Sequence, residues 1–344
     1  MKQKLFFLLS LVTINLNAQI VDVLTTGLTD PAGLAISGNT LYIAESFGAN
    51  KISKIDISSA SPTKTDVVAG LSGPDGLAIS GNTLYIAETD ANKISKIDIT
   101  SATPTLTTVI SGVLEPTGIV VDGDYLYIAE YNAHKISKLN LTTLIKTDYI
   151  TNVSGPTGLV INNNTLYFSD FDTNVISKVD LTATVPVVTQ MSSGFNEPAF
   201  LSLVGSELYI ADYGSGKLSK MNIVNHTVSD VAANLGGVYG LVNNGTHLFL
   251  SQRDTNKISK ISLPNLSTTN FDIENQVSIY PNPTSNYLTL KNVLENSKII
   301  ISDLNGRIIK EFTYQKPNID LQSLEKGIYL LTINNDKTFK FIKN

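Results

Sequence analysis

Cysteine and tryptophan are absent from the 344 residues, and methionine occurs only 3 times. Without cysteine there is no disulfide framework, no thiolate metal site, no cysteine nucleophile and no lipidated cysteine at a mature N-terminus. Charge is also sparse: 16% of residues, 25 basic against 30 acidic, no long basic run, and a net charge of −5, which argues against a nucleic-acid partner. Long apolar runs are missing as well. The stretch from Leu5 to Ile14 is about half of the roughly 20 residues that a membrane span requires, and no later segment is long enough, so no transmembrane segment is expected. What the chain does have is 42% hydrophobic residues, enough for one large or two ordinary domains with substantial cores.

The short apolar stretch follows Lys2 and Lys4 and runs into Asn15, Leu16, Asn17 and Ala18. A basic start, an apolar centre and a small-residue site make a secretory leader, residues 1–18, with cleavage expected after Ala18. Beyond it an internal repeat dominates. Pro31-Ala-Gly-Leu34 recurs at Pro74, Pro116, Pro156, Pro198 and, degraded, Val238, at spacings of 43, 42, 40, 42 and 40 residues. A second block follows each time: Leu41-Tyr-Ile-Ala-Glu45 and its counterparts ending at Glu88, Glu130, Asp170, Asp212 and Gln252. A third block runs from Lys51 to Ile55 and recurs from Lys93, Lys135, Val175, Lys217 and Lys257.

Each block is short, rich in β-branched and aromatic residues, and bounded by Gly, Asn, Asp or Pro, so the blocks read as strands joined by turns. Gly38-Asn39 and Gly81-Asn82 supply hairpin turns that need positive φ. Six units of about 40 residues, each a small sheet that buries both faces only against its neighbours, predict a six-bladed β-propeller. Outer strands are expected near Asp66 to Val68, Leu106 to Ile110, Lys146 to Ile150, Val187 to Gln190 and Val228 to Val231. The sixth is displaced to the N-terminus, where Val21 to Pro31 repeats the pattern of Asp66 to Pro74; it should pair with Lys257 to Ser262 and close the ring.

Pro-x-Gly-Leu, Leu-Tyr-Ile-Ala-Glu and Asn50-Lys51-Ile52 resemble the NHL repeat, and Leu-Tyr-x-x-acid is similar to the YWTD repeat, both of six-bladed propellers; the resemblance covers roughly residues 20 to 265. It departs in lacking tryptophan and in the sixth copy, where Val238 and Gln252 replace proline and the acid. Gly33 to Glu45 and Gly76 to Glu88 are identical, which looks like duplication of a scaffold.

After a polar linker, residues 266–276, the composition changes. Alternating apolar segments separated by Asn305-Gly306 and Lys326-Gly327 read as a small β-sandwich over residues 277–344. Tyr280-Pro281-Asn282-Pro283, then Asp303 with Gly306 and Arg307, then Gly327 and Tyr329 closely resemble, in order, the type A C-terminal sorting domain of the type IX secretion system. That resemblance implies a Bacteroidota-type source, export machinery as a partner, passage through the periplasm and outer membrane, and release or attachment at the cell surface.

Chemistry is harder to place. Glu45, Glu88, Glu130, Asp170 and Asp212 would form a ring that suits a cation, but the plainer reading is structural, each acid accepting hydrogen bonds from backbone or from the Asn and Lys of the next turn; Gln252 keeps the acceptor and drops the charge. Residues 19–276 carry 14 basic and 24 acidic residues. Loops before the first strand and after the second share one face, with Asp30, Asp75, Asp90, Glu115, Asp172, Glu197 and Asp254. The candidate ligand contacts there are Phe47, Asp90, Tyr131, Asp172, Phe195, Glu197, Tyr213, Tyr239 and Arg253, with Phe195 and Tyr239 preferred because Tyr131, Phe171 and Tyr213 suit packing between blades. Aromatics beside carboxylates suit a glycan or peptide.

The gluconolactonase family of six-bladed propellers is metal-dependent and has an acid two residues before its opening proline; here those positions hold Thr29, Ser72, Leu114, Ser154 and Asn196. His134, His226 and His247 fall on separate loops and strands, so no catalytic residue, metal or cofactor is expected. The expectation is an exported binding or adhesion module. The alternatives are an extracellular metal-dependent lactonase or lyase and a degenerate propeller serving a surface layer.

Overall fold

A computed structural model of the chain describes residues 20–263, 278–291, 293, 296–304, 306–315, 318–334 and 337–344. The leader expected over residues 1–18, the linker expected over residues 266–276 and Asn305 lie outside the described residues. Two compact units, Met1–Leu266 and Ser267–Asn344, divide the chain.

In the first unit, six four-stranded antiparallel sheets repeat one order, as in Pro31–Ser37, Thr40–Glu45, Lys51–Asp56 and Thr65–Ala69. Burial follows position in the sheet. Leu41, Tyr42, Ile43 and Ala44 are all buried because a middle strand packs both faces against neighbouring blades, whereas in Thr65–Ala69 Val67 and Val68 are half-buried and the rest is exposed. The Ile20–Leu24 strand pairs antiparallel with Lys257–Ser262, Ile20 opposite Ile261, and supplies the fourth strand of the last blade. Its grip comes from Val23 and Leu24, which pack on a core holding Leu28, Leu34 and Ile258; Val21 is exposed. One outer strand sits later than expected, at Thr189–Ser193 rather than Val187 to Gln190. Met191 is the side chain that inserts between blades, and it sets the register, while Val187 and Val188 stay in solvent.

The Pro-x-Gly-Leu glycines have a steric origin. A Cβ on Gly76 would lie 2.0 Å from the carbonyl oxygen of Thr117, and one on Gly240 would lie 2.1 Å from that of Ala32. Neighbouring innermost strands thus approach backbone to backbone around the central axis. In the fifth blade Phe200 takes this place, buried, with its ring 5.3 Å from that of Tyr239.

The second unit has a three-stranded sheet (Ser278–Tyr280, Tyr287–Lys291, Asn318–Asp320) and a four-stranded one (Ile308–Thr313, Lys298–Ser302, Gly327–Ile333, Lys337–Lys343). Leu288, Leu290, Ile299, Ile301, Leu331 and Phe341 are core residues. The motif residues make this fold. Asn282 donates to the Lys340 carbonyl at 2.9 Å and accepts from the Ile342 N–H at 2.9 Å. The Asp303 carboxylate accepts the Arg307 N–H at 2.9 Å across a turn in which Gly306 has φ of 82°, and Tyr329 stacks on Phe341. Tyr280 is exposed, and the Tyr280–Pro281 and Asn282–Pro283 bonds are cis.

Candidate functional site

The acids that end the second strands are buried and tied into their own blades. Glu45 accepts the Thr29 N–H at 2.9 Å, Glu88 that of Ser72 at 3.0 Å, Glu130 that of Leu114 at 3.0 Å, Asp170 that of Ser154 at 2.8 Å and Asp212 that of Asn196 at 2.6 Å. The donor is in every case the residue two before the opening proline. Lys64 and Lys146 pair with Glu45 and Glu130 at 2.8 and 2.7 Å, and the Ser95 and Ser137 hydroxyls donate to Glu88 and Glu130. The turn asparagines do not reach these acids, contrary to expectation. They hold left-handed φ angles and accept from the next blade instead: Asn92 from the Glu115 N–H, Asn174 from that of Glu197 and, across the ring closure, Asn256 from that of Asp30, each at 2.7 Å. His134 takes the same place in the third blade and bonds the Ser154 carbonyl.

The residue after each acid builds the site. Its N–H donates to the carbonyl of the residue before the proline, Tyr131 to Glu115 at 3.1 Å and Phe171 to Gly155 at 2.8 Å among them, and in the sixth copy Arg253, after Gln252, donates to Gly237, before Val238, at 2.9 Å. This repeated bond brings the side chains of Ser46, Thr89, Tyr131, Phe171, Tyr213 and Arg253 to a cavity of about 410 Å³ on the upper face. The residues after the opening prolines add Asp75, Thr117 and Thr157, and Tyr239 after Val238 takes the same place, while Asp30, Phe47, Glu115 and Asp254 stand around them. The volume falls in the range of small-ligand pockets. Rings follow one another along the wall: Tyr131 to Phe171 at 6.3 Å, Phe171 to Tyr213 at 6.3 Å, Tyr213 to Tyr239 at 5.7 Å. A second cavity, of about 300 Å³, is lined mainly by Leu, Ile and Val of the innermost strands and by Phe200.

The electrostatics centre on one guanidinium. Arg253 donates to both oxygens of Asp30, at 2.8 and 2.6 Å, and its guanidinium carbon lies 4.5 Å from the Tyr239 ring centre and 5.5 Å from that of Phe47. Burial works against its charge, but the bond to Asp30 and the nearby Asp75 raise its pKa above the ordinary value. Asp75 is 6% exposed; its Oδ2 accepts the Tyr239 hydroxyl at 3.0 Å and its Oδ1 has no hydrogen-bond partner. Burial pushes this carboxyl up to about 6, with Arg253 and the Tyr239 hydroxyl opposing the rise and Asp30 and Asp90 adding to it.

A raised carboxyl pKa means that the folded protein holds this proton where the unfolded chain has released it. Stability from Asp75 is therefore full below the unfolded value, 3.8, and is lost as pH climbs through about 6. Asp75→Asn, which cannot ionise, is expected to gain on the wild type by about 2 kcal/mol between about pH 4.5 and about pH 7.5, read by urea unfolding. A difference that does not change with pH would mean that Asp75 titrates as an ordinary carboxyl.

Of the residues expected on this face, Phe47, Tyr131, Tyr213, Tyr239 and Arg253 line the cavity. Asp172 accepts the Tyr131 hydroxyl at 2.6 Å and stands behind that ring. Asp90 is exposed and Glu197 half-buried, and neither lines the cavity. Phe195 is not part of the site: it is 7% exposed and packs with Met191, Leu208, Ile210 and Met221 between blades. Phe171, assigned to packing, is a wall of the cavity with Tyr131 and Tyr213. Ser46, Thr89, Thr117 and Thr157 were not anticipated. Their signal is variation among copies: the position after the acid reads Ser, Thr, Tyr, Phe, Tyr, Arg, while Leu-Tyr-Ile-Ala-Glu stands unchanged in three second strands. Among the described residues, no three His, Asp or Glu side chains converge as a metal site requires.

The family model of the secretion system C-terminal sorting domain matches residues 278–344, and that of the LVIVD repeat matches residues 116–134. No curated protein matches the chain. An auxiliary nutrient binding protein from Bacteroides thetaiotaomicron superposes with a TM-score of 0.60 at 16% identity, over 71% of this chain and 76% of its own. A gluconolactonase from Xanthomonas campestris gives 0.62 at 13% identity, over 72% and 90%, and virginiamycin B lyase from Staphylococcus aureus gives 0.53 at 17%, over 71% and 98%. At these identities the likeness is one of fold. No helix among the described residues is long and apolar enough to cross a membrane. With propeller blades in its first unit and that sorting domain at its C-terminus, the chain is a β-propeller protein exported by the type IX secretion system to the outer surface or the medium.

Proposed function

We propose that the propeller is a binding or adhesion module whose upper cavity takes a glycan or peptide outside the cell. In this reading, residues 1–18 are a leader removed on the way, the blades are of the NHL or YWTD kind, and the residues from Tyr280 to Tyr329 named above address the chain to the export machinery. One observation carries the binding role. The repeat holds its strand sequence nearly constant, yet the positions facing the cavity differ from copy to copy and bring Phe47, Tyr131, Phe171, Tyr213 and Tyr239 to its lining. A part that served only as a spacer has no use for such a concentration of rings, whereas sugar faces and peptide side chains pack on them. Glycan and peptide arrays probed with the mature chain are expected to give a restricted set of hits that Phe171→Ala loses; a blank array, or hits that survive the substitution, would contradict the reading.

The alternative is an extracellular metal-dependent lactonase or lyase, for which Asp75, poised near 6 in the cavity, is the group able to move a proton. A cation bound only to the folded state stabilises it by mass action, about 2.7 kcal/mol at a hundred times its dissociation constant. Under the binding reading, chelation leaves the melting temperature unchanged. A rise of several degrees with calcium, lost in Asp75→Asn, would favour the enzyme.

A further inference from the structure

We propose that the upper cavity is selective for a primary ammonium group, that of a lysine side chain in a peptide, received by Asp75 and the aromatic wall. This rests on the reading of the cavity as a ligand site and names the chemistry of its ligand.

Three observations converge. First, the carboxylates Asp30, Asp75, Glu115 and Asp254 line the cavity against the single guanidinium of Arg253. The hydrogen bonds of Arg253 go to both oxygens of Asp30; it acts on Asp75 only through space, so Asp75, Glu115 and Asp254 have no ion-pair partner among the residues that line the cavity. Second, Asp75 Oδ1 is buried and unpartnered while Oδ2 holds the Tyr239 hydroxyl. A buried carboxylate oxygen without a donor is costly, and a charged N–H donor repays that cost better than a neutral one. Carboxyl torsions are broad, so a small swing of the Asp75 head presents the free oxygen to an arriving donor. Third, aromatic rings line the same cavity, and a cation over an aromatic face is attracted by the ring quadrupole. Arg253 itself uses Tyr239 and Phe47 in this way; Tyr131, Phe171 and Tyr213 are not so occupied among the described residues.

A lysine suits this shape better than a sugar. The cavity that holds Asp75 is also lined by the half-buried rings of Tyr131, Phe171 and Tyr213, and a four-carbon stem packs along such rings while its ammonium goes on to a carboxylate. A neutral sugar would supply donors to Oδ1 but leave the acids uncompensated.

The test uses the mature chain and the side chain in isolation. In NMR titrations following the probe's methyl resonance, n-butylammonium is expected to saturate a site at least tenfold tighter than 1-butanol of the same shape. A hexapeptide with one central lysine should likewise outbind its Nε-acetyllysine twin. Asp75→Asn, which keeps an acceptor for Tyr239, should abolish the preference for the charged probe while remaining folded by its melting curve. Phe171→Leu should weaken the ammonium at least threefold and serves as a second reading if the Asp75 variant does not fold. Equal binding of the charged and neutral probes, a preference untouched in Asp75→Asn, or no saturation by the ammonium would each overturn the proposal. If at the same time a neutral oligosaccharide binds and Phe171→Leu weakens it, the cavity remains a ligand site and only its chemistry was misjudged. If nothing binds, the binding reading fails with it.

Discussion

Gly76→Ala should cost the propeller at least about 3 kcal/mol and lower its melting temperature by roughly 6 to 12 °C. The new methyl would sit 2.0 Å from the Thr117 carbonyl oxygen and 3.1 Å from the Gly118 Cα, all backbone atoms of the next innermost strand, so no side-chain rotation relieves the contact. The strands themselves would have to part, and with them the packing of blade on blade. Gly38→Ala is the control: nothing lies within 4 Å of its Cβ, and only its φ of 55° opposes the change, a cost of about 1 kcal/mol. Calorimetry on both variants checks the contrast. Equal, small losses would mean that the blades do not approach as closely as described.

Deleting the Ile20–Leu24 strand should destabilise the propeller by about 5 kcal/mol, a large part of the roughly 5 to 15 kcal/mol that holds a domain together. Three half-buried apolar side chains, Ile20, Val23 and Leu24, leave their packing at about 1 kcal/mol each. The ladder to Lys257–Ser262 goes as well, together with the bonds of Asp22 to the Ser259 hydroxyl at 2.7 Å and to Lys257 at 3.1 Å. An exposed strand edge should also make the truncated chain associate at higher concentration. A shortened chain that melts like the intact one and stays monomeric in gel filtration would contradict closure of the ring by this strand.

How far these features can be read from the sequence depends on whether a residue's role is local or set by its neighbours. The strands of each blade and the displaced outer strand were legible, because a repeat of about 40 residues writes the same strand and turn signals six times over. The register of Thr189–Ser193 was not, because Met191 and Val187 look equally apolar in one dimension and only the neighbouring blade decides which is buried. The same limit governs the site. Phe195 and Phe171 are both phenylalanines near the upper face. Phe171 follows a strand-ending acid and is brought to the cavity by the bond of its N–H to the Gly155 carbonyl, whereas Phe195 falls in the interface between blades. Asp75 was legible as an acid of this face, but its missing partner and its closeness to Tyr239, 164 residues away in the chain, are products of ring closure.

That the upper cavity is the ligand site is tested most directly by comparing two substitutions at opposite ends of the propeller. Tyr213→Ala removes a ring from the cavity wall, and Tyr125→Ala removes an exposed ring that starts the second strand of the third blade, next to Lys138. Isothermal titration calorimetry with the strongest array ligand should show binding lost at least tenfold in Tyr213→Ala and unchanged in Tyr125→Ala, with both proteins folded at the temperature of the titration by their melting curves. Full affinity in Tyr213→Ala, or a loss in Tyr125→Ala alone, would place the ligand elsewhere on the propeller.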